Sequence, residues 1–187
     1  MLLFRFTTLR YFHLAYFSKP VGDRVIYRAA ARNKARRILE IGIGSAGRTV
    51  RLINLVRRNA GDESVRYAAI DMFEARDAAK SPGMSLKETH RLLATTGAQV
   101  QLIPGEPAQA IAHAANSLAN MDLVLISADY DAASLGGAWF YVPRMLHPGS
   151  RVYLESRLTD GGSTVFRLMS PAEIATLAST SRRRKAA

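Results

Sequence analysis

Three glycines and a handful of acids carry the chemistry legible in this chain. The apolar run Arg37–Ile41 holds Glu40, and Gly42, Gly44 and Gly47 then crowd a turn together with Ser45. A helical pattern follows, with Val50, Leu52, Ile53, Leu55 and Val56 on its apolar positions. A strand that feeds a helix through glycines exposes backbone N–H groups to a ligand, where a Cβ would block both turn and ligand. Asp71 ends the next apolar run, 24 residues after Gly47. At that spacing a carboxylate accepts hydrogen bonds from ribose hydroxyls. Glu40 would repel a pyrophosphate and suits a ligand with a cationic amino group and no phosphate. Asp129 and Tyr130 follow another apolar run, where a general base would help deprotonate an acceptor hydroxyl or amine. Each residue also has a plainer reading. Gly42 and Gly44 would serve a tight turn without a ligand, and Glu40 would pair with Arg48 or Arg37. Asp71 would cap a helix, Glu106 would begin one favourably, and Asp129 would be an exposed loop acid.

The elements that must position these residues alternate. Apolar runs at Arg37–Ile41, Val65–Asp71, Val100–Ile103, Met121–Ile126 and Arg151–Glu155 read as strands. Helices are expected at Ala46–Arg58, Ser85–Thr96, Pro107–Leu118 and Ser134–Leu146, with Ser85 and Glu88 as a capping box. Turns are expected at Asn59–Asp62, Ser81–Gly83, Pro104-Gly105 and His147–Gly149. Asp160–Gly162 reads as a hairpin-like turn into a strand Thr164–Met169, and Pro171–Ser179 as a closing helix. This alternation predicts a three-layer α/β/α domain around a mostly parallel sheet, with a shortened C-terminal region. The expected division is a helical segment over residues 1–36, with a helix near Ser18–Ala35 covering the sheet. A ligand-binding domain spans 37–180, and a basic, disordered tail spans 181–187.

Composition sets outer limits. The chain has 187 residues, enough for one domain with a proper core, and its hydrophobic fraction of 48% is ordinary for a soluble protein. It has no cysteine, which excludes disulfides and thiolate chemistry. His13, His90, His113 and His147 have no metal-ligand spacing. The net charge is +11, and the residues from Arg5 to Arg37 include nine Lys or Arg and one acid, Asp23. Such basic termini fit RNA or another acidic partner, although basic runs of this kind are more often a solvated surface. Met1–Phe17 is apolar but broken by Arg5, Arg10 and His13, so no transmembrane segment is expected and a cytoplasmic location is.

With these residues in place, the chain resembles the class I S-adenosylmethionine-dependent methyltransferases over roughly Arg37 to Glu155. Leu39-Glu-Ile-Gly-Ile-Gly44 matches their first motif, Glu/Asp-x-Gly-x-Gly. Asp71 matches their ribose-binding acid, and Met72 and Phe73 fall where members flank the adenine. Pro104-Gly-Glu-Pro107 is similar to the stretch whose carboxylate meets the adenine amino group, a role that Glu106 would take beside Gly105. Asp122–Asp129 is similar to the fourth strand, whose end at Ser127 faces the methyl group, and Leu146-His-Pro-Gly149 matches the turn before the fifth. The resemblance implies S-adenosylmethionine as cofactor, held by Glu40, Gly42, Gly44, Ser45, Gly47, Asp71, Met72, Phe73, Gly105, Glu106 and Ser127. It implies methyl transfer to an unidentified small or macromolecular acceptor, with Asp129 and Tyr130 at the catalytic position.

The departures are informative. Ala46 stands where the motif has its third glycine. The fifth strand ends Tyr153-Leu-Glu-Ser156 without the Asp-Asn pair of metal-dependent catechol-type members, so no metal is expected. The fourth strand lacks Asn-Pro-Pro-Tyr. About 30 residues follow Glu155, too few for the family's usual closing elements in full. The rival reading is a non-catalytic module of the same fold that docks through its basic surface on RNA, membrane or protein. A nicotinamide-dependent oxidoreductase is disfavoured by Glu40.

Overall fold

The computed structural model describes residues 9, 11–61, 63–77, 83–158 and 163–186, with residues 182–186 described by backbone alone. The apolar runs pair into a six-stranded sheet: β1 (Arg37–Ile41), β2 (Arg66–Asp71), β3 (Gln99–Pro104), β4 (Met121–Ile126), β5 (Leu146–Arg157) and β6 (Thr164–Leu168). Their order is β3-β2-β1-β4-β5-β6. The first five are parallel, and β6 runs antiparallel to β5. The order reverses between β1 and β4, so the loops that leave these two strands diverge and open a crevice at their carboxyl ends.

Helices cover both faces: α1 (Asp23–Arg32), α2 (Gly47–Ala60) and α3 (Leu86–Ala94) on one, and α4 (Pro107–Ala114), α5 (Val142–Met145) and α6 (Pro171–Ala186) on the other. Neighbouring strand residues divide between the two cores. Ile38, Ala69 and Leu123 pack towards α1 and α2, while Leu39, Ala68 and Val124 pack towards α4 and α6. This period of two, with apolar residues on both sides, is what a parallel sheet covered on both faces requires. The expected three-layer α/β/α architecture is observed.

Local signals fix most boundaries. The Ser85 side chain accepts from the Glu88 N–H and the Glu88 side chain accepts from the Ser85 N–H, completing the expected capping box at α3. Glu106 caps α4 and Pro107 occupies its first turn. Three elements depart from expectation. Ser134–Leu146 is not one helix but a 3-10 turn, Gly136–Phe140, followed by the short α5. Gly136 sits at φ 41° and Pro143 cannot donate an amide, so a continuous helix is broken twice. Next, β5 begins at Leu146 opposite Met121, and its ladder resumes at Arg151 opposite Leu123. His147–Ser150 therefore bulge from the strand, held by the His147 ring, which meets Asp122 Oδ1 at 2.9 Å. Finally, α6 continues to Ala186 through the segment expected to be a disordered tail. Its Arg, Lys and Ala residues are good helix formers, and Ser181 Oγ anchors it by donating to the Gly136 carbonyl. The turn at Asp160–Gly162, and Asp62, Ser81 and Pro82 of two other expected turns, lie outside the described residues.

Candidate functional site

The crevice is built around the loop between β1 and α2. The Gly42 N–H donates to the Ile70 carbonyl at 2.9 Å and the Ser127 N–H to the Ile41 carbonyl at 2.8 Å, which ties the ends of β1, β2 and β4 together. Gly42 has φ 82°, and a Cβ there would fall 2.6 Å from Ser127 Cβ and 2.9 Å from Tyr130 Cε2. Gly42 is thus required by its own protein. Gly44 differs: its φ is 57°, and a Cβ there would meet nothing within 4 Å. Its Cα side therefore faces open space, as a ligand cradle must, while its carbonyl accepts the Met84 N–H at 3.3 Å. Ala46 takes the remaining left-handed position at φ 57°, ahead of α2. The displaced motif glycine is therefore absorbed by strain at Ala46, roughly 1–2 kcal/mol. A cleft of about 260 Å³ runs along Gly42–Gly47 and is closed by Pro20, Ser127 and Glu155.

Asp71 is fully buried beside this loop. Its Oδ2 accepts the Ile43 N–H at 2.7 Å, and its Oδ1 accepts the Phe73 N–H at 3.0 Å and the Arg76 guanidinium. The Gly105 N–H donates to the Asp71 carbonyl at 2.9 Å, bringing the loop after β3 alongside. Of the residues expected at an adenine, Met72 is half-buried, Phe73 is in the core, and Glu106 accepts the Gln109 N–H at 3.1 Å as the cap of α4. Arg76 is itself 8% exposed, and its Nη1 is buried without a partner.

Glu40 does not open into the cleft. Its side chain is 1% exposed. Its Oε2 accepts Thr49 Oγ1 at 2.6 Å and the Tyr67 hydroxyl at 2.8 Å, while its Oε1 accepts Arg48 Nε at 3.1 Å. Arg48 continues to Glu155 at 3.1 Å and Asp23 at 3.7 Å. Burial works against the Arg48 charge, but Glu40, Glu155 and Asp23 outweigh it and hold the guanidinium more firmly protonated than usual. Burial raises the Asp23 carboxyl above its ordinary value against the pull of Arg48 and Arg51. Burial and then the Glu40 charge push the Tyr67 phenol well above its usual range.

Asp129 is exposed and paired with Arg157. Tyr130 packs over Gly42, and burial, followed by the negative charge of Asp71, pushes its hydroxyl up to about 12. The structure thus lines the cleft with Gly42, Gly44, Ser45, Gly47 and Ser127, with the buried Asp71, Glu40 and Phe73 and the partly buried Tyr130 behind these. Sequence reasoning named Arg48 only as an alternative partner of Glu40 and missed Arg76, Thr49 and Tyr67. Thr49 was legible, since α2 begins at Gly47 and its first turn faces the end of β1. Arg76 lies in a loop with no periodic signal.

No protein-family model and no curated protein matches the chain. Solved structures do. The chain is similar to the O-methyltransferase TomG from Streptomyces achromogenes, involved in tomaymycin synthesis and solved with S-adenosylmethionine. The TM-score is 0.51 at 16% identity, over 97% of this chain and 78% of that one. It is similar to cofactor-bound Rv0187 from MTB, at TM-score 0.50 and 16% identity, over 98% and 77% of the two chains. The trans-methyltransferase CalH, solved with S-adenosylhomocysteine, gives TM-score 0.49 and 17% identity over 83% of this chain and 38% of its own, so this chain spans less than half of that protein. What TomG and Rv0187 share with this chain is the fold, a mostly parallel sheet with helices on both faces.

Proposed function

We propose that the chain is an S-adenosylmethionine-dependent methyltransferase that binds its cofactor along Gly42–Gly47 and at Asp71. The observation that carries this reading is Gly44, where a side chain would project into open space and meet nothing, in a loop hydrogen-bonded to Asp71. When bound, the cofactor supplies a methyl group made electrophilic by its sulfonium. Gly44 and Ser45 would line its approach, Asp71 would accept from the ribose hydroxyls in place of Arg76, and Ser127 and Tyr130 would wall the side open to an acceptor. Glu40 acts through Arg48 and Thr49 as a positioning residue rather than by contact.

Transfer on this reading is metal-independent and rests on alignment and exclusion of water. Among the described residues, no three His, Asp or Glu side chains are grouped to hold an ion. Tyr130 serves as a neutral hydroxyl, because its proton is held up to about 12. Thermal unfolding with and without ligand tests the site. S-adenosylhomocysteine at a hundredfold its dissociation constant adds about 2.7 kcal/mol of stability, and this gain disappears in Asp71→Ala. Equal unfolding temperatures with and without the ligand would contradict the assignment.

A further inference from the structure

Among the described residues, every large apolar side chain that is exposed lies in residues 9–21 or 158–168. Phe12, Tyr16, Phe17 and Val21 stand out from the first segment, with Phe17 70% exposed, and Leu158 and Val165 from the second. An open groove of about 580 Å³ joins the two, between Pro20, Val21 and Val25 on one side and Leu158, Val165 and Phe166 on the other. The rings are ordered against one another rather than against the core: Phe12 stacks on Tyr16 at 5.8 Å and His13 on Phe17 at 6.5 Å. A contiguous apolar face of this kind is matched to a second phase or partner.

Its charge selects the partner. Residues 9–37 hold eight Lys or Arg and one acid, Asp23. Asp23 is 2% exposed and turns inward to Arg48 and Arg51, so the described residues of this segment present no negative side chain outward. Lys19 and Arg28 stand at the groove, and the Arg28 guanidinium lies 5.8 Å from the Tyr16 ring centre. A second copy would bring the same cations together, which like-charge repulsion opposes. Single-stranded nucleic acid would use the rings and the cations but leave Val21, Leu158 and Val165 in water. An anionic lipid surface uses all three: headgroups for Lys19 and Arg28, the interface for the rings, and acyl chains for the aliphatic groups.

We infer that this face docks the protein peripherally on an anionic lipid surface. No described helix is long and apolar enough to cross a membrane, so docking is at the surface. The face also adjoins the candidate cofactor cleft. Pro20 borders both, and Arg48 of the cleft lies 4.9 Å over the ring of Phe166, which walls the groove. Docking therefore brings the mouth of the cleft to the lipid boundary. This inference does not rest on methyl transfer.

The test is flotation of the full chain with vesicles of phosphatidylcholine alone and of phosphatidylcholine containing phosphatidylglycerol, at low and high salt. The expected result is at least about tenfold greater recovery with phosphatidylglycerol, lost at high salt. The double variant Phe17→Ser, Val21→Ser is expected to lose most of that recovery with an unchanged circular dichroism spectrum. Phe17→Trp keeps the face intact, and its added emission shifts to the blue only with the anionic vesicles, since native Trp139 is already buried. No recovery at low salt, equal recovery on both vesicles, or an unshifted emission would overturn the inference. Binding to single-stranded RNA in preference to the vesicles, or a stable dimer that the double variant abolishes, would overturn it too.

Discussion

Arg76 donates to the Asp71 carboxylate, the same group that ties the glycine loop to β2 by accepting the Ile43 amide. One buried carboxylate therefore holds the loop's shape and is covered by a cation at the place where a ribose is expected. Any ligand that uses Asp71 must displace a charge-assisted hydrogen bond. Arg76→Gln removes that competitor, and titration calorimetry is expected to show S-adenosylhomocysteine bound about tenfold tighter, roughly 1.4 kcal/mol. Weaker binding by the variant would mean that Arg76 holds the ligand instead of covering its site.

The Arg48–Glu40 pair predicts a stability effect rather than a binding one. Glu40 is sealed beneath α2, and Arg48 is its charge partner. Arg48→Met leaves the carboxylate with Thr49 and Tyr67 as donors but no counter-charge. The expected cost is about 3–5 kcal/mol in urea unfolding, the usual result of breaking a buried pair from one side. A loss below about 1 kcal/mol would place the pair among weak surface contacts.

Gly44→Ala separates strain from access. The added methyl meets nothing, so the fold loses only the roughly 1–2 kcal/mol of a left-handed alanine. Cofactor binding is expected to fall by at least about a hundredfold, because the methyl projects into the space proposed for the ligand. Binding at the wild-type level would move the ligand off this loop.

Alkaline unfolding reads Tyr130 and Tyr27. In both, burial raises the hydroxyl from 10.0 to about 12. A raised folded value means that the unfolded chain releases its proton first. This stabilisation is complete below pH 10 and is lost as pH rises towards about 12. Tyr130→Phe and Tyr27→Phe are each expected to flatten that loss. A slope unchanged in both variants would contradict the assignment.

The strands were legible because each is a short apolar run between turn residues, and β1 and β4 fall at the bounds expected from sequence. The glycine loop and Asp71 were legible because their spacing is local and their conformations are glycine-specific. The direction of Glu40 was not. A strand residue shows its face only relative to neighbours, and its partners come from two separate elements, Arg48 and Thr49 from α2 and Tyr67 from β2. Arg76 was invisible for the same reason: its partner is set by how the loop after β2 folds back. The single helix expected over Ser134–Leu146 failed because apolar periodicity outweighed Gly136 and Pro143, which the backbone could not ignore.

The most direct test is calorimetric titration of the full chain with S-adenosylhomocysteine, with NAD as control. The predicted result is saturable, one-to-one, micromolar binding of S-adenosylhomocysteine, abolished by Asp71→Ala, with no heat from NAD. Absence of binding, or binding that Asp71→Ala leaves unchanged, would contradict the account.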